Sequence, residues 1–407
     1  MVTTSPRHIV AYSGSRAEFG LQLPLLQAIQ ADRRLRLSLV LGGTHVSIQG
    51  GRTEWEVAES GLAIADRVQC TVVDTRQATP IAIGETAIGM AQTFDRIAPD
   101  ACLVYADRFE TFGAAIAATQ MAIPTFHVEG GDVTEGGALD DAVRDAISRL
   151  AHVHLTTNGV ATARIIRMGE EPWRVIQVGA VVGDYVRRGD FAGIDEIEGS
   201  LGIDGREPIV LFTLHPIPTD LAATTSELAA SLTALAELVE EGIQVVATQP
   251  NNDHGADQIR AGLDQLSDDL GPNFVLRDSL GRRLFHGLLA LGGTSGHRLA
   301  LVGNSSAGVK EAGAFNCPCV NVGQRQRGRL RGGSVIDVGA DTQAIVSAIR
   351  SALTDDAYRS RILEAGHPYA GRDVGQSVAD VLATLPLDTV LLNKKSPHAE
   401  WNHQDNA

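Results

Sequence analysis

The sequence has few cysteines, fewer basic than acidic residues and no long apolar run, and each shortage excludes a class of protein. The four cysteines, Cys70, Cys102, Cys317 and Cys319, lie in apolar surroundings and predict reduced thiols. Lys and Arg total 34 against 49 Asp and Glu, and the net charge of −15 predicts that the protein binds neither nucleic acid nor anionic membranes. No apolar run approaches the ~20 residues that a membrane span requires.

The first residues carry no secretion signal, because MVTTSPRHIVAYSGSR lacks a basic region followed by a long apolar one. With the reduced thiols, this predicts a cytoplasmic protein. A length of 407 residues and 44% hydrophobic content suffice for two hydrophobic cores. Since the whole chain is acidic, an anionic ligand has to be bound by local groups.

Short β-rich runs alternate with helical patterns, beginning with HIVAYS, LQLPLLQAIQ and LRLSLVLGG. This βαβ order predicts an α/β fold with a parallel sheet, and it restarts at PIVLFTLH. We therefore predict an N-terminal Rossmann-like domain over residues 1–183 and a second one over residues 184–366. A last helix at about residues 367–385 is expected to cross back to the first domain, and residues 386–407 to form a flexible polar tail.

An acidic stretch, HVEGGDVTEGGALDDAVRDA, follows one predicted strand and places six carboxylates in residues 127–146. The preceding strand ends in ADRFE, which adds Asp107, Arg108 and Glu110. Ligands of open α/β sheets bind beyond the carboxyl ends of the strands. Crowding separates the pKa values of carboxylates, so one cluster can supply both an acid and a base. We expect proton-transfer chemistry, with Asp107 and Glu129 as the stronger candidates.

Two other interpretations of the acidic stretch remain open. The interpretation as solvated loop acids fits Glu135 and Asp132 better than it fits Glu129 and Asp107. His127, Glu129 and Asp132 are also potential metal ligands, although the zinc deaminase pattern H-x-E needs a later P-C-x-x-C and the chain offers only CPC. His127 fits a hydrogen-bonded structural histidine as well as a functional one.

The first predicted strand leads into AYSGSRAEFG, which turns on Gly14 and enters a helix with Arg16 at its start. Unpaired N–H groups at a helix start suit an anion. A tight turn with a solvated arginine is the alternative. The dinucleotide pattern G-x-G-x-x-G is not matched there and G-x-x-x-x-G-K-[ST] occurs nowhere, so the markers of hydride and nucleoside-triphosphate chemistry are missing.

A second anion site is predicted at LVGNSSAGVKEAG, where Ser305 and Ser306 stand at a helix entrance. Hydroxyls and free amides there suit a diphosphate, and Glu311 suits ribose hydroxyls. The alternative is that Asn304 or Ser305 only caps the helix. Downstream, GQRQRGRLRGG forms either a phosphate-facing or a solvated basic loop. Its arginines are Arg325, Arg327, Arg329 and Arg331.

These motifs together resemble the UDP-N-acetylglucosamine 2-epimerase family, particularly its hydrolysing branch, over about residues 8–385. The resemblance rests on GSRAEFG, GGTHVS, ADRFE, HVEGGDV, LDDAVRDAISRLAHVH, LHP, QPNNDHG, VGNSSAGVKEA and NVGQRQRGR. It implies two Rossmann-like domains of the glycosyltransferase-B type with the active site in the interdomain cleft, and neither metal nor other cofactor. It also implies elimination of UDP to a 2-acetamidoglucal, followed by addition of water to give N-acetylmannosamine or a related 2-acetamido sugar.

The resemblance assigns roles to individual positions. Asp107 and Glu129 would be the acid/base pair, Asp140 would assist them, Arg144 would orient them, and His215 in LHP would lie near the diphosphate. The implied UDP-sugar contacts are Arg16, Ser305, Ser306, Gly308, Glu311, Asn251 and Asp253. The implied partner is a UDP-sugar, and we expect a homo-oligomer, either a dimer or a tetramer.

The chain departs from the family pattern at two places. The segment 132–145 is about two residues longer than usual and carries Asp145 where the hydrolysing members have a histidine, and LGGTSGHRLALVGNSS is also longer. Elimination that stops at the glucal, and non-hydrolysing epimerisation, therefore stay as alternatives, although LHP is typical of the hydrolysing branch and the HRREN string of the other branch is missing. A sugar transferase of the same fold and a silent nucleotide-sugar binder are the alternatives from other classes.

Overall fold

The chain forms two units, each built on its own parallel sheet. The computed structural model describes residues 5–47, 53–71, 75, 77–135, 140–250 and 253–395. Unit 1 takes its described residues from Met1–Asp132, Asp140–Asp184 and Gly371–Ala407, and unit 2 takes them from Val133–Leu139 and Tyr185–Ala370. No helix in the described part of the chain is long and apolar enough to cross a membrane.

Strands and helices alternate along almost the whole chain. The first half contains β1 (Arg7–Ser13), α1 (Arg16–Ala31), β2 (Leu35–Leu41), α2 (Glu54–Glu59), β3 (Ile64–Arg67), α3 (Ala78–Ile97), β4 (Ala101–Tyr105), α4 (Phe109–Gln120), β5 (Thr125–Val128), α5 (Asp140–Leu150), β6 (Val153–Thr156), α6 (Gly159–Arg167), β7 (Val175–Gln177) and α7 (Val182–Arg188). The second half contains α8 (Ile194–Leu201), β8 (Ile209–Thr213), α9 (Leu221–Glu240), β9 (Gln244–Thr248), α10 (Ala256–Leu270), β10 (Phe274–Arg277), α11 (Gly281–Gly293), β11 (Leu299–Gly303), α12 (Ser306–Lys310), β12 (Cys319–Val322), β13 (Val335–Val338), α13 (Thr342–Thr354), α14 (Asp356–Ala365), α15 (Val374–Thr384) and α16 (Thr389–Leu392).

The sheet of unit 1 has the described strand order β3-β2-β1-β4-β5-β6-β7 and is parallel throughout. Successive residues of a strand point to opposite faces, so Ile9 and Ala11 enter one core while Val10 and Tyr12 enter the other. Helices cover both faces, which is why the central strands are apolar on both sides.

Helix α15 packs in unit 1, where Val378 and Leu382 join the same core as Ile9. The helix begins at Val374, later than the predicted His367. The Asp184 carboxylate accepts hydrogen bonds from the backbone N–H groups of Val374 at 3.1 Å and Gly375 at 2.9 Å, which fixes this start.

The prediction of a flexible tail from residue 386 is wrong for its described part, residues 386–395. Asp388 caps α16, and Leu391 is buried in the core of unit 1. Arg174 is fully buried and donates to the carbonyl oxygens of Leu391 at 2.6 Å and Val390 at 2.9 Å. One apolar side chain and one arginine therefore order a segment that is polar in composition. Residues 396–407 lie outside the described residues.

The sheet of unit 2 has the order β10-β9-β8-β11-β12-β13, again parallel, with Val210, Phe212 and Val302 in its core. In both sheets the strand order reverses beside the first strand, between β1 and β4 and between β8 and β11. This is the doubly wound order, in which ligands bind at the switch point. The prediction of two Rossmann-like α/β domains is confirmed.

The predicted strands are present, but β12 and the edge strands β3, β7, β10 and β13 were not predicted. Each has three or four residues, and side chains in the four edge strands are partly exposed. A short, partly solvated strand lacks the apolar run that identifies a buried one.

Candidate active site

At the carboxyl edge of the unit 1 sheet, Asp107 and Glu129 follow the neighbouring strands β4 and β5. The last residues of these strands, Tyr105 and Val128, are partners in the strand register. The backbone turns sharply after each strand, with φ of 54° at Ala106 and 64° at Glu129. Non-glycine residues adopt this left-handed region only where the surrounding structure enforces it. Glu129 is buried, and Oε1 of its carboxylate accepts a hydrogen bond from the Tyr105 hydroxyl at 2.6 Å.

His127 lies in β5 with both ring nitrogens engaged. Its Nε2 is 2.7 Å from the carbonyl oxygen of Ala106, which can only accept, so Nε2 carries the hydrogen and Nδ1 accepts from the Ser148 hydroxyl at 3.1 Å. Burial lowers the pKa of His127 to about 3, so the ring is neutral. Among the described residues, no group of three or more His, Cys, Asp and Glu is arranged to hold a metal. These contacts favour the structural interpretation of His127 over the metal ligand.

Arg144 lies on α5, is almost completely buried and is surrounded by acceptors. Its guanidinium forms an ion pair with Asp107, donates to Asp141 Oδ1 at 2.5 Å and donates to the carbonyl oxygen of Asp132 at 2.9 Å. The arginine guanidinium is planar and carries several N–H donors, so it can bind the two carboxylates and the carbonyl oxygen at the same time. The structure therefore brings Arg144 to Asp107. Asp140, the first residue of α5, is half-buried.

The other acids of the stretch divide between surface and interior. Glu135 is exposed, as expected, whereas Asp132 is buried, so the prediction that it is a solvated loop acid is wrong. Glu110 is also buried, and it pairs with Arg108 at 3.2 Å. Asp145 is half-buried on α5, and its burial raises the pKa of its carboxyl. The burial of Asp132 accompanies a contact with α5, from which Arg144 donates to the Asp132 carbonyl oxygen. Composition alone does not reveal such a contact.

The turn after β1 brings Arg16 to the start of α1. Ser15 caps this helix, and Arg16 forms a 3.6 Å ion pair with Glu56. Glu18, which was not predicted as a site residue, is buried and accepts hydrogen bonds from the Gly14 N–H at 2.8 Å and from the Thr111 hydroxyl at 3.0 Å.

Burial raises the pKa of Glu18 to about 8, despite the hydrogen bonds that it accepts. A serine followed three residues later by a glutamate is the capping-box pattern, and Ser15 with Glu18 gave that signal. Glu18 therefore joins β1, α1 and α4 at the switch point of unit 1.

At the switch point of unit 2, His215 follows β8 and Asn304 follows β11. Asn304 is buried and binds the backbone of His215 on both sides: Oδ1 accepts from the N–H at 2.7 Å and Nδ2 donates to the carbonyl at 2.9 Å. Nδ2 also donates to the buried Glu227 at 3.1 Å. Burial, with Arg325 as a neighbouring cation, lowers the pKa of His215 to about 3, so its ring is neutral. Glu227 was also missed, because its partner is distant in sequence.

The entrance of α12 is formed by residues 305–308. Ser305 and Ser306 are half-buried, and the Ser305 hydroxyl caps the helix by accepting from the Ala307 N–H at 3.4 Å. The cap alternative therefore describes the Ser305 side chain. A Cβ on Gly308 would lie 2.6 Å from the sulfur of Cys319, so close packing against β12 requires glycine at this position.

Glu311 directly follows α12 and is held by a histidine. His286 on α11 is buried, and its Nε2 lies 2.8 Å from Glu311 Oε2. The imidazole packs between the rings of Tyr185 and Phe315, with a centroid distance of 5.1 Å to each. The predicted ribose acceptor thus has an aromatic support that the sequence did not indicate.

In the arginine-rich loop, Arg325 and Gln326 both donate to the carbonyl of Asn304, at 3.2 Å and 2.8 Å. Arg329 donates to the Val133 carbonyl at 3.0 Å, within unit 2. Arg331 pairs with Asp337 at 3.0 Å. Most of the loop therefore binds protein acceptors, so neither a wholly solvated nor a wholly phosphate-facing loop describes it.

Two predicted contacts, Asn251 and Asp253, precede α10 in the sequence. Asp253 is half-buried, and its carbonyl accepts from the Ala256 N–H at 3.1 Å. Asn251 lies outside the described residues.

Two Rossmann-like units, with carboxylates and a buried arginine at one switch point and a polar helix entrance at the other, define an enzyme of the two-domain α/β class. The family model described as UDP-N-acetylglucosamine 2-epimerase matches residues 27–383. The chain belongs to this family.

Two relatives and one solved structure show how similar the chain is to known proteins. The UDP-N,N'-diacetylbacillosamine 2-epimerase (hydrolyzing) of Legionella pneumophila is 29% identical, covering 95% of this chain and 98% of the relative. The UDP-N-acetylglucosamine 2-epimerase of Neisseria meningitidis is 31% identical, covering 86% of this chain and 88% of the relative. The crystal structure of a Neisseria meningitidis UDP-GlcNAc 2-epimerase bound to UDP-GlcNAc has a TM-score of 0.77 at 16% identity and covers 92% of this chain and 99% of that chain.

Proposed function

We propose that the protein is a hydrolysing 2-epimerase of a UDP-linked 2-acetamido sugar. The observation that carries this proposal is the pair Asp107 and Glu129 after neighbouring strands, with the buried Arg144 bound to Asp107. Family membership favours an epimerase over a sugar transferase or a silent binder. The Legionella relative, named as hydrolysing and aligned over 95% of the chain, supports the hydrolysing branch.

The proposed reaction has two stages. In the first, a carboxylate takes the proton from C2 of the sugar, the C1–O bond breaks and UDP departs, leaving a C1–C2 double bond. In the second, water adds its oxygen to C1 and a proton returns to C2 on the opposite face, which gives the manno configuration. Asp107 and Glu129 are the proposed acid and base, assisted by Asp140, and Arg144 orients Asp107.

The nucleotide is assigned to unit 2. Ser305, Ser306 and Gly308 offer hydroxyls and backbone N–H groups at a helix entrance, which suit the diphosphate. Glu311 accepts from the ribose hydroxyls, and His215 donates to the diphosphate from a neutral ring. Arg16, Asn251 and Asp253 remain predicted contacts. The homo-oligomeric state and the cytoplasmic location also remain predictions.

Family membership does not fix the identity of the sugar in the substrate. The two relatives are named for different sugars, one for UDP-N-acetylglucosamine and one for UDP-N,N'-diacetylbacillosamine. These sugars share the 2-acetamido group and C2 proton on which the reaction depends. Both are therefore tested as substrates.

An NMR time course in D2O with each UDP-sugar tests the proposal. We expect free UDP and a 2-acetamido sugar of manno configuration that carries deuterium at C2. A vinylic C1 proton without a C2 proton would show that the reaction stops at the glucal. Accumulation of an intact UDP-linked manno sugar without free UDP would overturn the hydrolysing assignment.

A binding experiment separates the nucleotide site from the chemistry. UDP at 100 times its Kd should stabilise the protein by about 2.7 kcal/mol. Ser306→Ala and Glu311→Ala should reduce this thermal protection. Unchanged UDP affinity in both variants would remove the α12 entrance from the proposed site.

A further inference from the structure

Two hydrogen bonds run in opposite directions between the ends of β4 and β5. Tyr105, the last residue of β4, donates from its hydroxyl to the Glu129 carboxylate after β5 at 2.6 Å. His127 of β5 donates from Nε2 to the carbonyl of Ala106 after β4 at 2.7 Å. We propose that Tyr105 and His127 are positioning residues that form a reciprocal clamp and hold Glu129 and Asp107 in place for proton transfer.

The His127 half of the clamp acts on the residue before Asp107. Ala106 is not glycine, yet its φ is 54°, so its conformation requires support. The Ala106 N–H donates to the carbonyl of Val128 at 2.9 Å, and the Ala106 carbonyl accepts from His127. Both polar groups of this residue are thus tied to β5. Loss of the imidazole donor releases the turn that sets the direction of Asp107.

The Tyr105 half acts directly on Glu129. The φ of Glu129 is 64°, and its backbone N–H donates to the carbonyl of Leu155 on β6 at 2.9 Å. The Tyr105 hydroxyl then fixes the rotation of the carboxylate. Both residues are buried, so water does not easily replace the tyrosine donor.

Helix α5 supports the clamp from one side. Arg144 and Ser148 are four residues apart, on one face of the helix. Arg144 pairs with Asp107, while Ser148 occupies Nδ1 of His127 and so holds its Nε2–H tautomer. A Cβ on Gly130 would lie 2.8 Å from the Ser148 hydroxyl and 2.9 Å from His127 Nδ1, which leaves room for glycine alone.

Kinetics of matched variants test the clamp, which rests on the proposed function of Asp107 and Glu129. His127→Leu should lower kcat by about 10–10²-fold, because a misplaced catalytic group costs that much, whereas His127→Gln keeps an N–H donor and should recover most of the loss. Tyr105→Phe should lower kcat by about 10-fold. UDP affinity should stay unchanged in all three, and the kinetic isotope effect of C2-deuterated substrate should rise in the two slow variants as proton abstraction becomes limiting.

Two variants control for the loss of a buried polar contact elsewhere. His152 lies just before β6 and accepts from the Thr125 N–H, and Tyr358 of unit 2 donates to the Ser334 carbonyl at 2.5 Å. His152→Asn and Tyr358→Phe should leave kcat and the isotope effect unchanged. Wild-type kcat and isotope effect in both His127→Leu and Tyr105→Phe would overturn the clamp.

Nitrogen-15 NMR of histidine-labelled wild-type protein tests the clamp without turnover, with the His127 signal identified by its loss in His127→Gln. We expect an Nε2–H ring that stays neutral down to pH 5. An Nδ1–H tautomer, or protonation near pH 6.5, would overturn the clamp. Absence of turnover with both UDP-sugars would contradict the proposed function, and the NMR result would still decide the state of His127.

Discussion

Asn304 binds the backbone of His215 through both atoms of its side-chain amide, at 2.7 Å from the N–H and 2.9 Å from the carbonyl. These residues follow β11 and β8, the two strands that flank the switch point of unit 2. The side-chain amide of Asn304 also donates to the Glu227 carboxylate at 3.1 Å, and Gln326 donates to the Asn304 backbone carbonyl at 2.8 Å. One buried side chain therefore sets the relation between His215, the proposed diphosphate contact, and the α12 entrance.

Asn304→Asp should weaken UDP binding. An aspartate accepts from the His215 N–H but cannot donate to its carbonyl or to Glu227, and a lost buried hydrogen bond of this kind costs about 1–3 kcal/mol. Calorimetric titration with UDP measures the loss, with the exposed Asn273→Asp as the control. Equal UDP affinity in both variants would contradict the role of Asn304.

Asp107→Asn and Glu129→Gln should each lower turnover by roughly 10²–10⁴-fold while UDP binding stays nearly intact. Both changes keep the shape of the side chain and remove its ability to exchange a proton. Released UDP is measured in a coupled assay, and the exposed Glu135→Gln serves as the control. Full activity in either of these two variants would remove that residue from the proposed acid/base pair.

Arg144→Met should destabilise unit 1 and abolish most turnover. It leaves the Asp107 and Asp141 carboxylates without their buried cation, and breaking a buried pair in this way costs about 3–5 kcal/mol. Denaturant unfolding measures the stability, and Arg96→Met, which breaks an exposed pair with Asp66, should have little effect. Wild-type stability and activity of Arg144→Met would refute the orienting role.

Glu18 should make stability fall as the pH rises. Its folded pKa of about 8 lies above the unfolded value of about 4.5, so its contribution is complete below pH 4.5 and is lost as the pH approaches 8. Glu18→Gln lacks this pH dependence. Between pH 5 and 8 its free energy of unfolding should rise relative to that of the wild type by on the order of a few kcal/mol. Unfolding curves of both proteins across this range are compared. A constant difference would show that Glu18 is ionised throughout.

The ordered segment after residue 386 should contribute to stability without affecting chemistry. Leu391→Ala opens a cavity beside the core of unit 1 and should cost about 2 kcal/mol. The adjacent Val390→Ala is the matched control, because that side chain is 62% exposed. Thermal unfolding and turnover are measured for both. Identical melting temperatures of the two variants would show that the segment after residue 386 does not contribute to stability, as expected of a flexible tail.

Local patterns were sufficient for much of the fold. The apolar runs ending at Ser13, Tyr105 and Val128 predicted three of the strands. Because parallel strands bring their carboxyl ends to one edge of a sheet, the same runs predicted acidic side chains, Asp107 and Glu129 among them, at that edge. The capping residues and glycines around Ser305 gave the helix entrance in the same way. The short edge strands were not predicted because three or four partly exposed residues carry too weak a hydrophobic pattern.

The sequence by itself therefore determined the α/β class, the family and the polar strand ends, because these depend on periodicity and short motifs. Only the tertiary structure decided that Asp132 is buried, that burial raises the pKa of Glu18, that most of the arginine-rich loop binds protein acceptors and that Thr389–Leu392 form a helix. Each of these properties is set by partners far along the chain. Desolvation and hydrogen bonding between distant segments have no local sequence signature, since they arise only when the folded backbone brings those segments together.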